Sequence, residues 1–364
     1  MNENRPANLD VDARRARTEE CLQTFRAAQL SNSDQWKQQH EVPRRLYHYT
    51  TLKGIVGITS SSTIWASDAR FMNDASELKY SAKLIDGVIA SIAREVSDET
   101  IRALIPQRPG FANGFEHGAR PFVACFCEEN DLLSQWRGYG RGDAPAALGL
   151  DLSALSRFGL LPPRTYLRKV VYDEAVQKKQ VADVVRTWLE TAQELLSSEG
   201  TTPKEIFPYP AIWALQEALS EHHLCFKDPA FEEESEWRLI KLVDVREEVG
   251  LLDDRRWDVM MATMRERMRE LGVEMPDEPL ERLRRDAEGI EIRFRESSMG
   301  LVPYVELPLI DQAGVFMGRL PLWEVVQGPT REPDLALESL TMYLESRGYG
   351  FHTNVRKSCV PVRP

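Results

Sequence analysis

Four short polar segments hold the side chains best suited to chemistry, and each contains or adjoins aromatic residues. Imidazole, guanidinium and carboxylate groups transfer protons, bind phosphate and stabilise cations, while an aromatic ring offers a flat face to a planar ligand. We therefore predict one polar site to which all four segments contribute. The segments are residues 47–50, 68–77, 134–140 and 232–238.

The first segment, Tyr47-His48-Tyr49-Thr50, ends an aromatic-rich strand predicted over residues 45–50. There an imidazole can hydrogen-bond a ligand while a neighbouring tyrosine stacks on it. A lone histidine is also commonly a hydrogen-bonded core residue, and that alternative stays open. His48 is a candidate catalytic residue, and Tyr47, Tyr49 and Thr50 are candidate ligand contacts.

The second segment is dense in groups that bind sugars and phosphates, namely Arg70, Asn73 and Asp74. Some of these residues also have structural explanations. Asp74 or Ser76 can cap the helix predicted from Leu78, and Asn73 can shape the turn before it. Capping does not explain Arg70, so all three residues are kept as candidate ligand contacts.

The third segment places Gln135, Trp136 and Arg137 just before two glycines, Gly138 and Gly140, which permit close approach of the backbone. A guanidinium beside an aromatic ring can both hydrogen-bond and stack on a ligand. Gln135, Trp136 and Arg137 are therefore candidate ligand contacts.

The fourth segment begins with an acidic run, residues 232–234, that is typical of a solvated surface. Glu236 differs, because it stands at the entrance to a strand predicted over residues 237–243. A strand can direct this carboxylate into a cleft, where it could stabilise a developing cation or orient a ribose hydroxyl. Glu236 is the second candidate catalytic residue.

Common nucleotide and metal motifs are absent from the sequence. It has no G-x-G-x-x-G after a strand, no P-loop and no G-x-S-x-G elbow. The spacings in Cys125-x-Cys127 and His222-His223-x-Cys225 fit no standard zinc site, so we predict no metal. Cys125 and Cys127 are expected on one face of a strand, in the core, and five scattered cysteines predict reduced thiols.

The elements that must position these residues alternate irregularly. Short strands are predicted near residues 45–50, 64–66, 122–127, 146–150, 167–172, 237–243, 290–294, 304–307 and 323–326, with helices between some of them. Such an order disfavours a doubly wound parallel sheet. We predict an α+β fold with a mixed or antiparallel sheet and helical insertions.

Composition sets the broad class of protein. The chain has 364 residues, 42% hydrophobic and 28% charged, which suits a large folded core. We predict a polar, helical or mobile extension over residues 1–43 and one elaborated domain over 44–364, with helical insertions around 175–225 and 255–287.

The absence of a long apolar run or signal-like start predicts a cytoplasmic protein that does not bind membranes. A net charge of −11 predicts no bulk binding of nucleic acid.

These motifs, in this order, resemble a bacterial family known as domain of unknown function 2971. The resemblance runs from Leu46 to the end of the chain. It rests on the residues around His48, on Phe71 to Leu78, on Cys125 to Glu128 with Ser134 to Gly140, on Glu236-Trp237-Arg238, and on the closing stretch from Gln327.

That family is distantly similar to the ADP-ribosyltransferase superfamily, and the similarity implies a split mixed sheet that binds NAD. It also implies that His48 holds the nicotinamide-side ribose or the carboxamide and that Tyr47 or Tyr49 packs on the nicotinamide. Glu236 would be the catalytic glutamate. Arg70 or Arg137 would then bind the pyrophosphate.

Three hypotheses follow. The first is an NAD-consuming ADP-ribosyltransferase-like enzyme, a toxin or an anti-phage defence effector, with a nucleotide-type substrate and an unidentified macromolecular acceptor. The second is a catalytically inactive nucleotide-binding or partner-binding module of a defence system. The third is a nuclease that uses His48 and Glu236, although the −11 charge and the lack of a paired-carboxylate metal site disfavour it.

Overall fold

A computed structural model of the chain describes twelve stretches of the sequence. The predicted contacts Asn73 and Asp74, the predicted insertion at 255–287 and most of the predicted extension at 1–43 lie outside them. The described residues are 23–29, 41–72, 75–103, 105, 119–139, 144–157, 161–162, 165–197, 208–244, 291–297, 300–310 and 318–361.

The strands of the described ranges join into one sheet. Their order is β10-β9-β4-β1-β3-β2-β8-β7, with β6 also beside β3 and β5 beside β6. Strands β9 and β10 run parallel, whereas β3 pairs with β1, β2 and β6 in antiparallel fashion. The strands are β1 (Leu46–Thr51), β2 (Thr63–Asp68), β3 (Ala119–Cys127), β4 (Pro145–Leu150), β5 (Thr165–Lys169), β6 (Glu236–Asp244), β7 (Arg293–Ser297), β8 (Gly300–Pro308), β9 (Leu322–Gln327) and β10 (Asn354–Lys357).

The sheet divides at β3. All nine residues of β3 pair with β6 along one edge. Along the other edge, β2 pairs at Phe122 and Val123, and β1 pairs at Cys127. Strands β1 and β2 therefore diverge from a shared partner, and each begins its own branch of the sheet.

Nine helices and two short 3-10 helices lie in the described ranges. Several follow the predicted apolar spacing, as in α7, where Val181, Val185 and Trp188 are buried. The helices are α1 (23–29), α2 (Leu52–Ser61), α3 (Ala75–Glu95), α4 (Glu99–Ala103), α5 (Leu133–Tyr139), α6 (Leu152–Arg157), α7 (Glu174–Ser197), α8 (Pro208–Cys225) and α9 (Pro333–Ser346), with 3-10 helices at Ala69–Phe71 and Pro229–Glu234.

The chain forms two compact units. One comprises Met1–Val42, Asp74–Gly114 and Lys169–Glu233, and the other comprises Pro43–Asn73, Phe115–Arg168 and Glu234–Pro364. In the first unit, α3, α7 and α8 share an apolar core in which Phe25 packs edge-on against Trp188, with 5.4 Å between ring centroids. The second unit contains the sheet, apart from Lys169 at the end of β5, and every described candidate site residue. The single domain predicted for residues 44–364 stays a prediction.

The predicted fold class is confirmed at the level of a mixed, largely antiparallel sheet with several helices. Strand and helix positions agree with the sequence patterns to within a few residues for β1, β2, β4, β6, β9 and α9. The ranges described hold no helix with the length and apolar character that crossing a bilayer requires.

Candidate functional site

Glu236 and Tyr47 lie on one face of the sheet, in a single row across the strands. Tyr47 pairs with Cys127, and Cys127 pairs with Glu236. Paired residues of antiparallel strands project to the same side, and strands lie ~4.8 Å apart, so the Tyr47 and Glu236 Cα atoms are roughly 10 Å apart. We call this side the Tyr47 face. Alternation along the strands places Tyr49 and Arg238 on it as well.

His48 lies on the other side of the sheet. Its ring contacts that of Phe126, with 5.5 Å between centroids, and Phe126 pairs with Trp237. We call this side the His48 face. His48 and Glu236 therefore point in opposite directions, and the structure does not contain the predicted pairing of these two side chains across one cavity.

His48 has a defined hydrogen bond where β1 leaves β3. Its Nδ1 lies 2.9 Å from the carbonyl oxygen of Cys125, which can only accept, so Nδ1 carries the proton. Burial lowers the pKa of His48, and the bond to the carbonyl opposes that shift only in part. His48 is thus a half-buried, hydrogen-bonded histidine, which agrees with the structural alternative that the sequence left open. Thr50, also on the His48 face by alternation, packs against Gly54 of α2.

Glu236 forms a buried ion pair with Arg238 on the same strand. Arg238 Nε donates to Glu236 Oε1 at 2.8 Å, and its Nη2 donates to Oε2 at 3.1 Å. The preceding residue, Ser235, has a φ of 41°, a left-handed conformation that is uncommon for a residue with a side chain. This backbone turns the chain from the 3-10 helix into β6 and fixes the direction of Glu236.

Between Glu236 and Tyr47 in the row lies the small side chain of Cys127. The Tyr47 ring extends the other way, over Gly149, and its hydroxyl donates to Glu324 Oε2 at 2.7 Å. A Cβ on Gly149 would lie 2.7 Å from Tyr47 Cε1, so the glycine makes room for the ring. Burial raises the pKa of Cys127 to about 12, so its thiol stays protonated at neutral pH.

Glu324 is the centre of a hydrogen-bond network behind Tyr47. Besides Tyr47, Asn130 donates to Oε2 at 3.2 Å and Asn354 to Oε1 at 3.1 Å, while Arg356 lies 3.5 Å away. Burial pushes the pKa of Glu324 upward, but these hydrogen bonds and the charge of Arg356 outweigh it and leave the pKa below its usual value. The network fixes the Tyr47 ring.

Helix α5 carries three candidates and packs on the Tyr47 face. Trp136 meets Tyr49 edge-on, with 4.6 Å between ring centroids, and its Nε1 donates to Asp131 at 2.7 Å. Tyr49 donates to the carbonyl oxygen of Glu129 at 2.9 Å. Gln135 is half-buried, and Arg137, one residue beyond Trp136, is exposed. The structure thus brings Tyr47, Tyr49 and Trp136 together, with Arg137 at the surface nearby.

Arg70 lies away from the Tyr47 face, beside a residue of the His48 face. It follows β2 in a 3-10 helix and is bound to Asp68, with Nε and Nη2 donating to the carboxylate at 3.0 and 2.7 Å. Asp68 pairs with Phe122, which alternates with the residues of the Tyr47 face and therefore lies on the His48 face. Of the two arginines predicted to bind pyrophosphate, Arg137 adjoins the Tyr47 face and Arg70 does not.

Sequence reasoning missed Arg238, Glu324, Asp131 and Ser235. A signal existed for Glu324, which is the one charged residue of β9, whereas Arg238 stands among other charged residues in β6. Ser235 and Asp131 carry no such signal, because backbone conformation and tertiary hydrogen bonds define their roles. In the described ranges, no three His, Cys, Asp or Glu side chains are placed to hold a metal ion together.

A family model described as "Protein of unknown function (DUF2971)" matches residues 135–239. The match begins at Gln135 in α5 and ends in β6, so it includes Trp136, Arg137 and Glu236. It supports the resemblance to that family over this stretch. No curated protein and no solved structure matches the chain.

Proposed function

We propose that the chain is an NAD-dependent, ADP-ribosyltransferase-like enzyme in which Glu236 is the catalytic carboxylate. The observation that carries the proposal is the row formed by Glu236, Cys127 and Tyr47 on one face of a divided sheet. The row combines a carboxylate and an aromatic residue across a small thiol. Tyr47 and Tyr49 share this face with Glu236 and would pack beside the nicotinamide, whereas His48 lies on the other face and has no part in the proposed site.

The proposed chemistry uses Glu236 to stabilise positive charge. The bond between ribose C1′ and the nicotinamide nitrogen breaks, and the bonding electrons leave with neutral nicotinamide. The ribose then has oxocarbenium character, which a fixed carboxylate stabilises electrostatically. A nucleophile of the acceptor forms the new bond to C1′ and loses its proton. Arg137 supplies the guanidinium for the pyrophosphate.

Arg238 has a positioning role in this proposal. Its two hydrogen bonds hold both oxygens of Glu236, so the carboxylate needs little reorganisation when charge develops. The left-handed backbone at Ser235 supports the same reading, because strained conformations cluster at functional sites. An NAD-consuming activity of this kind would suit a toxin or an anti-phage effector.

The test is release of nicotinamide from NAD, and transfer of label from NAD to an acceptor, by the wild-type chain and by Glu236→Gln. Loss of a transition-state electrostatic partner is expected to lower the rate ~10²-fold or more. Glu306→Gln is the control, since Glu306 is a partly exposed glutamate on β8 that pairs with Arg293. Both assays are repeated in cell lysate to supply an acceptor. Equal rates for wild type and Glu236→Gln would refute the proposal.

A second candidate function is a catalytically silent module that binds a nucleotide. It is favoured by the burial of Glu236 and Arg238, which are 5% and 1% exposed, because such a pair can serve the fold alone. This reading predicts saturable binding of NAD with no release of nicotinamide from any variant.

A further inference from the structure

Two arginines share one buried carboxylate at the end of β2, on the His48 face. The side chain of Asp68 is inaccessible to solvent. Its Oδ2 lies 2.7 Å from Arg70 Nη2 and 3.6 Å from Arg120 Nε. Among the described residues, Asp68 is the carboxylate that forms an ion pair with each of the two arginines. One negative charge therefore faces two positive ones.

Arg70 is held in a fixed orientation by this carboxylate. Its backbone nitrogen and its Nε both donate to Asp68 Oδ1 at 3.0 Å, and its Nη2 donates to Oδ2. The bond to Asp68 raises the pKa of Arg70. The side chain is still 45% exposed, and its Nη1 takes no part in the bonds to Asp68.

The guanidinium of Arg120 makes no hydrogen bond to Asp68. Its approach to Asp68 at 3.6 Å is an ion pair and is too long for a hydrogen bond, and the side chain is 24% exposed. Arg120 and Phe122 are two residues apart on β3, so both lie on the His48 face, as does Lys241, the partner of Phe122 on β6. A third basic side chain thus lies one strand beyond Phe122.

We infer that Arg70 and Arg120 bind one phosphate group at a site separate from Glu236. Guanidinium groups match the oxygens of a phosphate, and a prearranged pair binds it with little loss of side-chain entropy. The local excess of positive charge is notable on a chain whose net charge is −11, where a general electrostatic attraction for anions is absent. Asp68 is the positioning residue of this site.

The experiment measures binding of inorganic phosphate and of adenosine monophosphate by calorimetry at low ionic strength, without NAD. The two ligands distinguish free phosphate from the phosphate of a nucleotide. Arg120→Gln is the main variant, because Arg120 makes no hydrogen bond to Asp68 and its loss leaves Arg70 in place. Arg293→Gln is the matched control, since Arg293 is 46% exposed and pairs with Glu291 and Glu306.

For at least one of the two ligands, Arg120→Gln is expected to weaken binding roughly tenfold or more, and Arg293→Gln less than about twofold. Arg120→Lys keeps the charge but loses the planar guanidinium that can donate two hydrogen bonds to one phosphate. Its affinity is expected to fall between those of wild type and Arg120→Gln. The inference is overturned if the wild-type chain binds neither ligand, if Arg120→Gln binds both as wild type does, or if the two glutamine variants are equally weakened. NAD takes no part in these measurements, so their outcome is independent of the proposed function.

Discussion

At the scale of single residues, the Tyr47 face depends on polar side chains that hold aromatic rings in place. Tyr47 is tied to Glu324, Tyr49 to the carbonyl oxygen of Glu129, and Trp136 to Asp131. Buried polar groups without partners are costly, so each ring is restricted to the orientation in which its polar atom is satisfied. The three rings are buried together with Cys127 in one apolar cluster.

Tyr47→Phe tests the link between Tyr47 and Glu324. Removing the hydroxyl deletes a hydrogen bond to a charged group and should lower the free energy of unfolding by ~1.5–3 kcal/mol at neutral pH. The measurement is urea unfolding. A matched control is Tyr166→Phe, because Tyr166 is an exposed tyrosine of β5. Equal stability of Tyr47→Phe and wild type would contradict this account of the network.

The stabilisation provided by the hydrogen bond between Tyr47 and Glu324 should depend on pH, and the direction of that dependence follows from the pKa of Glu324. The pKa of Glu324 is lower in the folded chain than its usual value, so the folded state binds fewer protons than the unfolded state. The stabilisation is therefore complete above the ordinary carboxyl pKa and is lost as pH falls through the folded value. The difference in stability between wild type and Tyr47→Phe should shrink on acidification below about pH 4.5. A difference that grows in acid would contradict the assignment.

At the scale of elements, the close approach of β1, β4 and β9 requires a glycine. A side chain on Gly149 would meet both the Tyr47 ring and Glu324 Cβ, the latter at 3.2 Å. The ring cannot move without breaking its bond to Glu324. Gly149 is thus as important to the Tyr47 face as the residues that form it.

Gly149→Ala is expected to lower the free energy of unfolding by ~1–3 kcal/mol through overpacking. Gly87→Ala is the control, since Gly87 lies within α3 and a Cβ there meets nothing within 4 Å. That second change should stabilise the chain by about 0.5–1 kcal/mol, because alanine favours a helix over glycine. Thermal unfolding of both variants provides the measurement, and a Gly149→Ala chain as stable as wild type would contradict the packing.

Sequence patterns predicted the elements well and their arrangement only in part. Apolar alternation located β1 and β6, and helical spacing located α7, because both patterns depend on local burial. The sequence pattern does not predict helix α5, because Trp136 is its buried residue and one buried position shows no helical period. The face on which a strand residue lies depends on pairing register, which no single sequence reveals. For that reason His48 and Glu236 were expected together and are found apart.

At the scale of the whole molecule, charge limits what the chain can bind. A net charge of −11 repels polyanions over the surface, and the excess of basic groups at Arg70 and Arg120 is local. The proposed site would hold a single phosphate, whereas a nucleic-acid backbone requires a run of basic contacts.

The chain is therefore expected not to retard duplex DNA or RNA in a gel at physiological salt, and not to cleave either when divalent metal is added. The same net charge is expected to repel bulk nucleic acid even when metal is present. Retardation that weakens steeply with added salt, or metal-dependent loss of the nucleic acid, would favour the nuclease hypothesis instead.

The central claim is that the substrate lies against the Tyr47 face, where Glu236 can reach it and His48 cannot. The most direct measurement compares nicotinamide release from NAD by Glu236→Gln and by His48→Gln, each at a temperature at which circular dichroism shows the variant to be folded. Glu236→Gln is predicted to lose activity ~10²-fold or more, and His48→Gln to stay within about tenfold of wild type. Equal, large losses in both variants, or loss confined to His48→Gln, would contradict the account.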